Sequence, residues 1–216
     1  MVDPPAEAYG RTRHDLFLRL GLEIAGHRVR NSTKTNMRNF RGNYGSRPDA
    51  CAEMWDDLKK SDPDFPQEAH PRHLFWTLMF MKSYDTSEQL AGRLKKDMTH
   101  IRPWVKDFGR RIQAQKRKKI RWSNCDASED GPIFILSVDG VHCSIQEHKS
   151  FEDAKKHCSH KSGKAAFACE IAISIWRSKI VWINGPFRAG INDSQIFESG
   201  LNSGHKKVRR RHVSFP

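Results

Sequence analysis

No apolar run in this chain approaches the ~18 residues needed to span a bilayer. Its opening, MVDPPAEAYG, is acidic and proline-bearing, unlike a secretory leader. A soluble intracellular protein is expected. Paired cysteines are also missing: Cys51, Cys125, Cys143, Cys158 and Cys169 are odd in number, irregularly spaced and contain no C-x-x-C. That excludes a disulfide framework and suits a reducing compartment. The cluster HCSH, His157 to His160, offers imidazole and thiolate to zinc, but its spacing matches no common finger, so a solvated loop is the expectation. Acid is scarce, with 25 Asp+Glu against 38 Lys+Arg, a formal charge of +13 and a pI of about 9.8. Such an excess favours polyanions through counterion release; a merely soluble basic protein is the plain alternative. Hydrophobic content of 37% and a mean hydropathy of −0.73 are lean, and predict a core accompanied by poorly ordered arms.

Residues 11 to 50 carry Arg11, Arg13, Arg19, Arg28, Arg30, Lys34, Arg38, Arg41 and Arg47 among few acids and much Asn, Gly and Ser. Only Leu16 to Gly26 shows helical periodicity, so residues 1–48 read as a basic, flexible arm. A helical block, 49–122, follows. In Asp49 to Lys60, Cys51, Met54, Trp55 and Leu58 recur at helical spacing, and SDPDFPQEAHP ends the helix. His73 to Tyr84 is dense in apolar residues; Thr86 caps TSEQLAGRL; Thr99 opens THIRPWVKDFGRRIQAQ, where Pro103 falls early enough for its missing N–H to cost little. Two short-linked helices suggest a helix-turn-helix whose recognition helix ends in Arg110, Arg111, Lys116, Arg117, Lys118 and Lys119. An ordinary three-helix bundle with a solvated basic end fits the same pattern. The run KRKKIR from Lys116 serves equally as a nuclear import signal or a phosphate-contacting linker.

From Ile133 the period changes to two. Ile133 to Val138 is a nearly continuous apolar run, expected of a strand covered on both faces. Asp139-Gly140 reads as a tight turn, after which Val141, Cys143 and Ile145 alternate with polar residues. A basic loop leads to Ala166–Trp176, where Phe167, Cys169, Ile171, Ile173 and Ile175 share one parity. Arg177-Ser178 reads as a hairpin turn, KIVWIN returns, and Asn192 and Asp193 cap DSQIFESGL. Strand, strand, hairpin, helix is the opening of a ribonuclease H-like α/β fold, placed at 131–216.

Phosphodiester cleavage on such a fold uses two Mg²⁺ or Mn²⁺ ions held by three or four convergent carboxylates. Asp139, leaving a rigid strand, is the best-placed candidate, and a hairpin-turn aspartate is its plain reading. Asp193, opening a helix, is by itself an N-cap.

The segments SVDGVHCSIQEHK (137–149), HCSHKSGKAAFACEIAISIWRSKIVWINGPF (157–187) and AGINDSQIFESGL (189–201) resemble the first half of the DDE nuclease of PIF/Harbinger transposases. HLFWTLMFMKSYDTSEQLAGRL (73–94) is similar to the helical DNA-binding part of the same proteins, so the resemblance covers roughly residues 40 to 201. It implies a Mg²⁺- or Mn²⁺-dependent endonuclease acting on DNA in the nucleus. Asp139 would be its first catalytic acid and metal ligand, and Asp193, matching an aspartate of the pre-helix motif, a second catalytic acid and metal ligand, with an auxiliary ligand or a helix cap as its alternative. A separate DNA-binding partner protein and an oligomer are compatible with it. The family's later motifs, an aspartate in a G-D-x-G-Y-like strand and a glutamate on a closing helix, have no match before Pro216. The expectation is therefore an α/β protein: a helix-turn-helix-like domain joined to a partial ribonuclease H-like mixed sheet with helices. It would be inactive as given, with Val181, Ile183 and Phe197 poorly covered; a non-catalytic DNA-binding remnant or domesticated protein is the alternative.

Overall fold

The computed structural model describes residues 13–121, 136–145, 150–159, 162–175 and 177–202. They divide into a helical unit, Met1–Lys116, and a sheet unit, Arg117–Pro216. Among the described residues no helix is long and apolar enough to cross a membrane.

Among the described residues six helices build the first unit: α1 Arg13–Ile24, α2 Thr33–Tyr44, α3 Pro48–Ser61, α4 Pro71–Ser83, α5 Ser87–Leu94 and α6 Met98–Ala114. A further short helix, α7, covers Lys116–Lys119. Helix α4 is the hub, because HLFWTLM buries every residue from His73 to Met79 and so presents apolar surface all round. Helices α1, α2 and α6 pack against it, and α3 packs on α1. One aromatic cluster gathers Phe17, Phe40, Tyr44 and Phe75. The other joins Trp55, Phe65, Phe108, Trp104, His73 and Trp76. Helices α1 and α2 pack tightly at Gly21: a methyl there would run into the Phe40 ring, and the Tyr44 hydroxyl donates to the Gly21 carbonyl at 2.6 Å.

Residues 13–48 are therefore not a flexible arm. Asn36, Phe40 and Tyr44, spaced four apart, make the buried stripe of α2, and Ser32 and Gly45 close its two ends. Two of those three positions are polar or amphipathic, which hid the helix from a count of aliphatic residues. Helix α6 likewise begins one residue before Thr99, with Asp97 as its cap.

In the sheet unit, β1 Leu136–Ser144, β2 Ala166–Ser174 and β3 Lys179–Arg188 form an antiparallel sheet in the order β1-β2-β3. Helix α8, Phe151–His157, lies between β1 and β2, and α9, Asp193–Asn202, follows β3. The Arg177-Ser178 hairpin is present, with the Ser178 N–H donating to the Ser174 carbonyl at 2.8 Å. β3 runs past Asn184 through a cis Gly185-Pro186 bond.

Two expectations about β1 need correction. Asp139-Gly140 is not a turn: β1 passes straight through it, since residues on both sides pair with β2, Val138 with Ala172 and Val141 with Cys169. Nor is β1 covered on both faces. It is an edge among the described strands, and Ser137, Val138, Asp139, Val141 and Cys143 are exposed; Ile133 to Ile135 lie outside the described residues. Val181, in contrast, is buried, and Ile183 and Phe197 are half-buried. His157 is no loop residue: it is buried, its Nδ1 lies 2.8 Å from the Asp153 carbonyl, and its ring stands edge-on to Phe167. His160 lies outside the described residues.

Candidate functional site

The α5–α6 pair is held by local chemistry. Thr86 accepts from the Gln89 N–H at 3.3 Å while Gln89 Oε1 accepts from the Thr86 N–H at 2.9 Å, a reciprocal capping box. Lys95 ends α5 in a left-handed conformation (φ 50), and Asp97 starts α6 by accepting from the Thr99 N–H at 2.7 Å. The same Thr99 bonds hold the Asp97 carboxyl below its ordinary pKa. A turn of Lys95, Lys96 and Asp97 thus separates two capped helices.

Helix α6 has an inward and an outward side. Ile101 and Phe108 are buried and Trp104, Val105 and Ile112 half-buried, whereas Thr99, Arg102, Lys106, Arg110 and Gln113 are exposed along the opposite face. Next to that face a groove of about 500 Å³ is lined by Phe80, Leu90, Ile101 and Val105, together with Arg102 and Lys106. Lys106 and Arg110 have no carboxylate partner among the described residues, and Arg102 lies near Glu88.

Arg111 belongs elsewhere. Its Nε donates to Asp107 Oδ2 at 2.7 Å, Nη1 to Asp62 Oδ2, and its guanidinium lies over the Phe65 ring. Those two carboxylates raise its pKa, Asp107 most. With Gln115 Nε2 donating to Ser61 Oγ at 2.6 Å, Arg111 fastens α6 to the end of α3. The i, i+4 spacing from Asp107 is the sequence signal for half of this staple; Asp62 gave none. Lys116, Arg117, Lys118 and Lys119 stand exposed on α7. Lys106 and Arg102 carry no sequence signal of their own, because their common face emerges only once the inward residues are known.

In the sheet unit the two candidate acids do not meet. Residues paired across antiparallel strands point to the same face, so Asp139 shares a face with its partner Ile171, while the adjacent Gly140 shares the other with Glu170 and Asn184. Helix α9 lies on the Glu170 side, where Asn184 Nδ2 donates to the Ile196 carbonyl at 3.2 Å. Asn192 caps it, accepting from the Ser194 N–H at 3.3 Å, and Asp193 occupies its first turn.

Glu170 is a residue that sequence reasoning missed. It is 6% exposed in the middle of β2, and its Oε2 has no hydrogen-bond partner among the described residues. Burial first, and the nearby Asp193 carboxylate second, push its pKa up against the opposing hydrogen bond from Asn184. A strand glutamate flanked by apolar residues ordinarily signals a solvent face. Here the inward parity is the small one, Ala166, Ala168, Ala172 and Ser174, which lets α9 approach. Among the described residues no group of three His, Cys, Asp or Glu is gathered that could hold a metal ion. Comparison of the chain with protein-family models, curated proteins and solved structures found no match.

Proposed function

We propose that this chain binds duplex DNA through a helix-turn-helix-like pair, α5 and α6, in a protein derived from a PIF/Harbinger-type transposase. The observation that carries the reading is the outward face of α6, a capped helix presenting Lys106 and Arg110 to solvent without carboxylate partners among the described residues. Such cations neutralise phosphates and release counterions. The exposed Lys116–Lys119 run adds phosphate contacts, and within KRKKIR it suits import into the nucleus.

Fluorescence anisotropy of the full chain on a short duplex, between about 50 and 200 mM salt, tests this. Replacing Lys106 and Arg110 by Gln should lower the slope of log affinity against log salt by about 2, one for each phosphate no longer neutralised. Arg111→Gln should reduce thermal stability and leave that slope alone. An unchanged slope in the double variant would remove α6 from the interface, and a wild-type chain that ignores duplex DNA would end the proposal.

A second reading, a Mg²⁺- or Mn²⁺-dependent endonuclease, draws on one observation: Asp139 stands exposed on β1 of an antiparallel sheet that α9 follows, an order similar to the opening of a ribonuclease H-like domain except that α8 is inserted between β1 and β2. Asp139 and Asp193 would be its metal ligands, yet they lie on different sides of the sheet. The chain is therefore expected to bind supercoiled plasmid in Mn²⁺ without nicking it. Nicking that Asp139→Asn abolishes would make the catalytic reading the right one.

A further inference from the structure

The helical unit has a second cationic face that α6 leaves unused. From Ile24 to Pro48 the chain contains no Asp or Glu, yet it carries Arg28, Arg30, Lys34, Arg38, Arg41 and Arg47. Helix α2 places Lys34, Arg38 and Arg41 at i, i+4 and i+7, all exposed, on the side away from the buried Asn36, Phe40 and Tyr44. Their rise along the axis is about 6 and 4.5 Å at 1.5 Å per residue. Long side chains at that spacing can each reach a different phosphate of one DNA strand.

Other cations of this unit are spent on structure: Arg13 pairs with Asp56, Arg47 with Asp49, Arg93 with Asp85, and Arg111 with Asp62 and Asp107. No such pair engages Arg28, Arg30, Lys34, Arg38 or Arg41 among the described residues. Like charges four apart repel and weaken a helix, so the row does nothing for α2 itself. The preceding loop is also fixed in place. Asn36, only 4% exposed, accepts from the Arg30 N–H at 2.9 Å and donates to the Arg30 carbonyl at 2.7 Å. A buried amide thereby sets the Arg28–Arg30 strip beside the first turn of α2. Arg93 Nη2 donates to Asn43 Oδ1 at 3.0 Å, which ties the end of α2 to α5.

We propose that Lys34, Arg38 and Arg41, with Arg28 and Arg30, form a second site for the sugar-phosphate backbone of duplex DNA. It would hold position without reading bases. The inference rests on the DNA-binding reading of α6.

The test is the salt dependence of anisotropy for the full chain, with Lys34, Arg38 and Arg41 changed together to Gln, a residue of similar helix propensity. With three phosphates no longer neutralised, the salt slope should fall by about 2 to 3. Over a fourfold rise in salt, affinity should then fall about 40-fold less than in the wild type. In parallel, bound duplex should slow acylation of Lys34 by an amine-reactive reagent in the unaltered chain, a readout that needs no variant to fold. An unchanged slope together with undiminished Lys34 acylation overturns the second site while leaving the α6 reading intact, provided the α6 variant still loses slope. Absence of duplex binding by the wild type, including capture by anionic vesicles alone, overturns both.

Discussion

Replacing Phe75 with alanine should lower the stability of the helical unit by about 3–5 kcal/mol, the range for emptying a packed aromatic site. Phe75 is fully buried, and its ring lies 5.7 Å from Phe17, 5.7 Å from Phe40 and 4.7 Å from Tyr44, centroid to centroid. One ring therefore links α1, α2 and α4. Collapse around the gap is obstructed, because Phe40 is wedged over Gly21 and Tyr44 is held by its hydrogen bond to the Gly21 carbonyl. Whole-unit stability is about 5–15 kcal/mol in typical domains, so this variant would stand near the edge of folding. Urea unfolding followed by hydrogen exchange in α1, α2 and α4 measures it. A cost below about 1 kcal/mol would mean that the four rings are not packed as described.

Acid should loosen the same unit at a different place. His73 is buried with its ring stacked on Trp104, centroids 3.8 Å apart, and its Nδ1 accepts from the His70 N–H at 3.2 Å. Burial first, then the neighbouring His70 and Arg72, lower its pKa to about 4. The unfolded chain, with His near 6.5, takes up the proton more readily than the folded one. Stability is therefore full above about pH 6.5, declines as pH falls towards 4, and stops declining on this account below 4. By pH 5 the loss should reach about 2 kcal/mol. His73→Gln keeps an acceptor and cannot ionise, so its unfolding curve should shift less between pH 7 and pH 5 by about that amount. Equal shifts in the two proteins would show that His73 does not carry the effect.

What the sequence revealed follows from how local each signal was. Helices α3 to α6 were legible because their apolar stripes and their caps, Thr86 among them, sit within one or two turns of each other. Helix α2 was not, since its stripe uses Asn36 and Tyr44. β1 misled for the opposite reason: Asp139-Gly140 is a strong turn signal in isolation, but pairing with β2 on both sides outweighs it. On β2 the larger apolar residues fixed the strand and not its faces. Ile173 is 41% exposed while alternate alanines and Glu170 are buried, a choice made by what packs from outside the strand. Arg110 and Arg111 are neighbours in sequence with opposite duties, separated only by which side of α6 meets the end of α3.

The position of β1 at the edge of the described sheet has a consequence for the behaviour of the protein in concentrated solution. Edge strands invite another chain to add to them, and the segment VDGV brings Val138 (43% exposed) and Val141 (38%) to that edge. Between the two valines stand a carboxylate and a residue with no side chain to interlock. A charge at such a point resists stacking of copies, as gatekeeper residues do along other apolar strands. By that principle the charge of Asp139 opposes edge-to-edge pairing of copies. Removing its charge would expose the sheet unit to precipitation, so turbidity must be followed alongside any assay of an Asp139→Asn protein, lest lost material be mistaken for lost chemistry.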